Sequence, residues 1–211
     1  MPKIVNHDQY REQLLKSCYD LFAEKGYSSV TMREIASELS VSTGTLYHYF
    51  PSKQAILEQL LIVMGTRDVE EARRRTATSG SFEERLKIFF EFFLDNQANF
   101  QKMLLLSVDF LRHADVSGSQ DLVSQWLHFY LSNMEKYLEL PRAVSQFILV
   151  FFNGLVYQVK LFPDSISATQ QIALFSEVLL SYLQAHKDPR NRLCRMCPFL
   201  TDHKEPQAKA G

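Results

Sequence analysis

The sequence predicts an all-α fold of about nine helices, and three observations carry that expectation. Apolar residues recur at i, i+3 and i+4 spacing along most of the 211 residues. Helix-start signals precede these runs: Thr31 with Glu34 and Ser81 with Glu84 fit capping boxes, Ser42 and Ser52 are good N-caps, and Pro141 suits a first turn. Stop signals close the early helices, with Gly26 as a left-handed terminator and Pro51 forcing the preceding residue out of helical geometry.

The elements follow in order. The first helix runs from about Asp8 to Lys25 with Leu14, Cys18, Leu21 and Phe22 inward, Cys18 reading as a small core hydrophobe. Met32, Ile35, Ala36 and Leu39 form one face of a short second helix. Ser40-Val41-Ser42 is a turn whose valine packs between helices. A third helix spans Thr43 to Phe50, with Leu46 and Phe50 inward and Thr43, Gly44, Thr45, Tyr47 and His48 outward or near its N-terminus. The helix from Ser52 carries Ile56, Leu57, Leu60, Leu61 and Met64, then becomes a charged run, Asp68 to Arg75, within which Arg73-Arg74-Arg75 is read as solvated surface rather than as a DNA contact. Thr76 to Ser81 is a linker. Ser81 to about Asn96 is apolar around most of its circumference and is therefore buried. Ala98 to His113 is followed by an expected loop at Asp115 to Ser119 and a long helix with Leu122, Trp126, Phe129, Tyr130 and Met134. Pro141 to Phe162 and Ser167 to His186 are the last two helices. The domain division expected is 1–51, 52–187 and a tail, 188–211.

Two short helices joined by a tight turn make a helix-turn-helix, whose second helix enters the major groove of DNA. An αα-corner in a helical bundle has the same outline. The chemistry of the second helix suits DNA: short hydroxyl residues let the backbone approach phosphates, and tyrosines reach a phosphate through the OH. A helix N-terminus beside Lys53 offers a phosphate site.

The string GYSSVTMREIASELSVSTGTLYHYFPSKQAIL resembles the N-terminal domain of the TetR/AcrR transcriptional regulators. The likeness is carried by Phe22, Gly26-Tyr27, Thr31, Ile35-Ala36, Gly44 through Phe50, and Ser52-Lys53, and it covers roughly residues 8 to 62. Beyond it only length and helical character agree. The resemblance implies an N-terminal three-helix DNA-binding domain with a C-terminal helical ligand-binding and dimerisation domain. It implies a homodimer, most often a repressor, released from its double-stranded operator by a small-molecule effector. It places Thr31, Val41, Ser42, Thr43, Gly44, Tyr47, His48 and Lys53 at operator-contacting positions. Thr43 has no charge for a bidentate guanine contact, so base readout falls to Arg33, Thr43, Thr45 and His48.

Charge sets a bound on this. The net charge is −1, and residues 1–55 carry six Lys/Arg against six Asp/Glu. Affinity then depends on local placement of positive groups and on dimerisation, with modest non-specific binding. The N-terminus lacks the apolar core of a signal peptide. The longest apolar stretch, Phe147 to Tyr157, is broken by Asn153 and Gly154 and is too short to span a membrane. Three cysteines make no disulfide scaffold. A soluble cytoplasmic protein without a membrane partner is expected.

In the body, Phe89, Phe92, Phe93, Phe110, Trp126, Phe129, Tyr130, Phe152, Asn153 and Tyr157 are candidates to line an apolar pocket for a hydrophobic or aromatic effector; ordinary core packing explains the same residues. Phe147, Phe151, Leu155, Phe175, Leu179 and Tyr182 on the last two helices are candidates for a dimer interface, or for faces buried within one subunit. A dimer sets two reading heads about 34–36 Å apart on a pseudo-palindrome. Asp109 and His113 lie one turn apart and suit an ion pair better than a metal. The tail holds Cys194-x-x-Cys197 with His203, short of the four ligands zinc needs, so a redox or metal response and an inert tail both stay open. No nucleophile–base pair, phosphate-binding glycine loop or paired-carboxylate motif points to an enzyme, no cofactor is expected, and the intact Gly44–Lys53 string argues against a pure interaction module.

Overall fold

The computed structural model of the chain describes residues 7–113 and 116–185, the side chains of 116–120 excepted. Among them are nine helices and no strand: α1 His7–Lys25, α2 Met32–Glu38, α3 Thr43–Tyr49, α4 Lys53–Thr76, α5 Phe82–Asp95, α6 Gln97–His113, α7 Val116–Leu138, α8 Arg142–Leu161 and α9 Ala168–Ala185. The expected loop at 115–119 is a correction: α7 is already helical from Val116. Pro141 stands one residue before α8 rather than in its first turn.

The start signals act as read. Thr31 caps α2 in a full capping box, and Ser42, Ser52 and Ser81 each accept an N–H three residues on. Gly26 closes α1 at φ 85°, a conformation in which a Cβ would be strained. Packing divides the chain after Gln171.

Within residues 7–171 the first core is built from α1, α2, α3 and the first half of α4. It takes in Phe22, Ile35, Leu46, Phe50, Ile56, Leu57 and Leu60, all nearly inaccessible. Met103, Leu106 and Phe110 of α6 belong to the same core. Hydrophobic burial therefore runs across the boundary drawn at residue 51, and α6 serves as a fifth wall of the N-terminal bundle. A second set, including Leu86, Phe90, Phe93, Leu131, Met134, Ile148, Phe152 and Val156, fills the space among α5, α7 and α8. At 24 residues, α4 is about 36 Å long and belongs to both regions.

Gly65 marks the crossing of α4 and α7. A Cβ there would meet Phe129 Cε1 at 3.3 Å, so the missing side chain is what lets the helices approach. α8 is long and apolar enough by length and composition to cross a membrane, which corrects the expectation from its interrupted apolar run. Its Val144, Ile148, Phe152, Leu155 and Val156 are nevertheless buried, and it packs on α6 and α7. In α9, Ile172, Phe175 and Leu179 are buried while Leu174 and Val178 are exposed.

Candidate nucleic-acid interface and interior cavity

α3 is held from below and open above. Leu46 and Phe50 are fully buried, which turns Gly44, Tyr47 and His48 outward together. Tyr47 is half exposed. Thr43 and Thr45 are half-buried, and Val41 packs partly on the core. Arg33 is exposed on α2.

The hydroxyls are partly spent on the fold. Thr31 Oγ1 donates to Glu34 Oε2 at 2.7 Å and accepts from Glu34 N at 3.3 Å, so it fixes α2 rather than offering a free donor. Ser42 Oγ accepts from Thr45 N at 2.9 Å and lies 2.8 Å from Thr45 Oγ1. That pair uses one hydroxyl proton internally and leaves the other for an outside acceptor. A Cβ on Gly44 would meet only Ser42 Oγ, at 3.7 Å. Among the described residues nothing else would crowd a side chain there.

Lys53 does not fit the role of a free phosphate clamp. Its ammonium donates to the carbonyls of Tyr27 and Val30, each at 2.8 Å, and sits 4.3 Å from the Tyr27 ring centroid. Burial pushes its pKa below the usual lysine range. Two of three N–H donors are thus committed to the α1–α2 turn. From the other side of that turn, Asp109 of α6 accepts from Ser28 N at 2.9 Å and Ser28 Oγ at 3.0 Å. His113 Nδ1 lies 3.1 Å from Asp109 Oδ1, the ion pair the spacing suggested. α4 and α6 therefore both grip the turn that carries α2.

Sequence patterning missed a polar groove beside α3. His7, Asp8 and Arg11 of α1 line it with His48 and Tyr49. His7 Nδ1 is 2.9 Å from Tyr49 OH, and Arg11 Nε donates to Gln59 at 2.8 Å. Only the fold brings the start of α1 beside α3, 40 residues on, so no local signal marked it. The Arg73–Arg75 run is paired as expected for a surface: Arg73 with Glu70, Arg74 with Glu71, and Arg75 with Glu71 and Asp95.

A cavity of about 270 Å³ lies among α4 to α8. Of the expected lining, Phe89, Phe92, Phe93, Trp126, Tyr130, Phe152 and Asn153 are present. Three residues are corrections. Phe110 is fully buried in the N-terminal core, edge-on to Tyr27 at 5.1 Å. Phe129 packs against Gly65. Tyr157 is half exposed on the outer face of α8. Phe93 and Phe152 stack at 3.7 Å between centroids.

Asp68 is the lining residue that periodicity should have found. It continues the Leu57, Leu61, Met64 stripe of α4, and the charged run around it hid this. It is 3% exposed, accepts from Tyr130 OH at 3.0 Å and meets Arg67 at 3.4 Å. Burial raises the Asp68 pKa, with Tyr130 and Arg67 opposing.

Of the dimer candidates, Leu155, Phe175 and Leu179 are buried within the chain, Phe151 and Tyr182 are half-buried, and Phe147 is exposed. Leu155, Phe175 and Leu179 thus offer little surface to a partner, and this corrects their assignment. Cys194, Cys197 and His203 lie outside the described residues. No group of three or more His, Cys, Asp or Glu suited to a metal occurs among the described residues.

The profile of the bacterial regulatory proteins of the tetR family matches residues 14–60. Residues 14–60 are thus a tetR-type DNA-binding region. The uncharacterized HTH-type transcriptional regulator YuxN of Bacillus subtilis is 46% identical over 48 residues, 23% of this chain and 16% of that protein. The HTH-type transcriptional regulator UidR of Escherichia coli K12 is 35% identical over 52 residues, 25% of this chain and 26% of its own. The matches thus span about a sixth to a quarter of these relatives, confined to the tetR-type reading head. The fold of the whole is shared more widely. The transcriptional regulator FadR of Bacillus subtilis, solved in complex with stearoyl-CoA, superposes with a TM-score of 0.68 at 18% identity, over 81% of this chain and 97% of that one. The tetR match ends at residue 60, and the described cavity lining, from Asp68 onward, lies beyond it.

Proposed function

We propose that this tetR-family chain is a dimeric transcriptional repressor that binds a pseudo-palindromic DNA operator and releases it when a small hydrophobic or aromatic molecule occupies the cavity. One observation carries the reading. α4 and α6 both line the cavity, through Asp68, Val69, Ala72, Ser107, Val108 and others, and both fasten the α1–α2 turn, through Lys53 and Asp109. A ligand that fits one spacing of α4 and α6 better than another shifts the reading head with it; the shift is limited to the ligand's difference in affinity for the two states.

At the DNA, Arg33, Thr43, Thr45 and His48 read bases, Tyr47 and the spare Ser42/Thr45 hydroxyl bind phosphates, and Gly44 admits the DNA backbone. Val41 contributes an apolar edge, while Thr31 and Lys53 position the others. Arg11 and His7, beside His48, add contacts from α1. The FadR neighbour's stearoyl-CoA supports an apolar effector in a body of this fold.

The dimer rests on the outer face of α8. Phe147, Val150, Tyr157 and Leu161 are exposed and fall, with Gly154, at positions i, i+3, i+7, i+10 and i+14. That is the spacing of a helix–helix seam. Nothing lies within 4 Å of a Cβ built on Gly154, so the seam has room for a close partner helix.

Selection of genomic fragments with the purified protein tests the proposal. The expected product is a small set of fragments sharing a two-fold symmetric site, with half-sites about one helical turn apart. Recovery of an unenriched, random pool would refute it.

A further inference from the structure

We infer that the cavity takes a compact hydrophobic organic cation, with its charged head against the Asp68 carboxylate and its apolar part among Phe89, Phe93, Phe152 and Trp126. This deepens the effector reading above and rests on it for its regulatory meaning.

The argument begins with what Asp68 is doing there. Of the described residues that line the cavity it is the one carboxylate, and it is 3% exposed in surroundings dominated by phenylalanine, leucine and valine. A buried carboxylate without compensation is costly, and cores of this kind ordinarily place an apolar residue at such a position. Two partners reach it. Tyr130 OH donates to Oδ2 at 3.0 Å. Arg67 meets Oδ1 at 3.4 Å from a side chain that is 58% exposed, well beyond the roughly 2.7–2.9 Å of a strong charge-assisted bond. A carboxylate has about four acceptor sites, so Asp68 retains lone pairs that a further positive group can approach.

The rest of the cavity agrees on sign. Among the described lining residues the other charged one, Arg73, is held by Glu70 at 2.8 Å on the surface, and the nearby Arg67 is turned to Asp68 itself. The aromatic side chains of Trp126, Tyr130, Phe89 and Phe93 line the space, and aromatic rings attract cations most when desolvated. At about 270 Å³ the cavity is not quite twice the roughly 150 Å³ that holds a benzene in a protein core. One ring with a small ammonium head fills it. Exposed Val108, Leu111 and Leu127 line it as well, which gives an apolar way in between α6 and α7.

The chain has a built-in reporter, because Trp126 is its single tryptophan and lines the cavity. Full-length protein is titrated with benzyltrimethylammonium and, in parallel, with its uncharged carbon isostere neopentylbenzene, following Trp126 fluorescence. The cation is expected to bind saturably and about tenfold or more tighter than the isostere. Asp68→Asn keeps an acceptor for Tyr130 but removes the charge; it is expected to bring the two affinities within about threefold by weakening the cation alone. The inference is overturned if wild-type protein binds the isostere as tightly as the cation, a comparison that needs no variant to fold. It is equally overturned if Asp68→Asn leaves the cation's advantage intact. Neither readout involves DNA. A cation that binds but fails to release a selected genomic fragment sinks the effector reading and leaves the cation site standing. Release by the isostere, with no preference for the cation, does the reverse.

Discussion

Gly44 separates what the fold needs from what a partner needs. Its Cβ position is open within the chain, and glycine inside a helix costs up to about 1 kcal/mol relative to alanine. Gly44→Ala is therefore expected to leave the urea midpoint unchanged or raise it, while weakening operator binding about tenfold in fluorescence anisotropy, since the added methyl meets the DNA backbone. A variant that bound DNA like the wild type would remove Gly44 from the interface. Asp109 makes the complementary case, a side chain that fixes the α1–α2 turn through Ser28. Burial acts to raise its pKa, but hydrogen bonds from Ser28 N and Oγ, with the charge of nearby His113, outweigh burial and hold it below the usual carboxylate range. A depressed native pKa stabilises the fold above the unfolded value and loses that contribution as pH falls through the native one. The stability advantage of wild type over Asp109→Asn, read by urea unfolding, is expected to be full at neutral pH and to shrink below about pH 4. An advantage that grew on acidification would contradict the assignment.

Individual helices were legible where a local rule governs them. The caps of α2, α3, α4 and α5, the inward Leu46 and Phe50, and the stop at Gly26 follow from neighbours within four residues, and these are the features the structure bears out. Contacts set by tertiary folding were not legible. Lys53 looks like a phosphate ligand until the α1–α2 turn is folded beneath its ammonium. Phe110 looks like pocket lining until α6 proves to wall the N-terminal core. Asp68 was concealed because charge patterning outweighed its place in an apolar stripe. On α8 the spacing showed a long apolar helix but not which side faces inward. The burial pattern now assigns Val144, Ile148, Phe152, Leu155 and Val156 to the chain's own core and leaves Phe147, Val150, Tyr157 and Leu161 outside. Val150, 69% exposed, stands on that seam. Val150→Glu is expected to convert a dimer to monomer in sedimentation velocity, with the thermal midpoint of the monomeric fold little changed, because surface substitutions ordinarily stay within about 0.5 kcal/mol. An unaltered sedimentation coefficient would move the interface elsewhere.

Taken whole, the molecule joins a nearly neutral reading head to an apolar body by two shared helices. With a net charge of −1, long-range attraction to DNA is weak, and in the proposed dimer discrimination rests on few side chains acting twice. Affinity for non-specific DNA should therefore be low and the preference for a true site correspondingly clear. The decisive measurement is a competition titration of wild-type protein and Tyr47→Ala, at moderate salt, on a selected genomic fragment against a scrambled duplex of the same composition. Wild type is predicted to prefer the fragment by about 1,000-fold or more, and Tyr47→Ala to lose most of its affinity for the fragment while retaining its fold by circular dichroism. Equal affinity of the wild type for both duplexes would contradict the account.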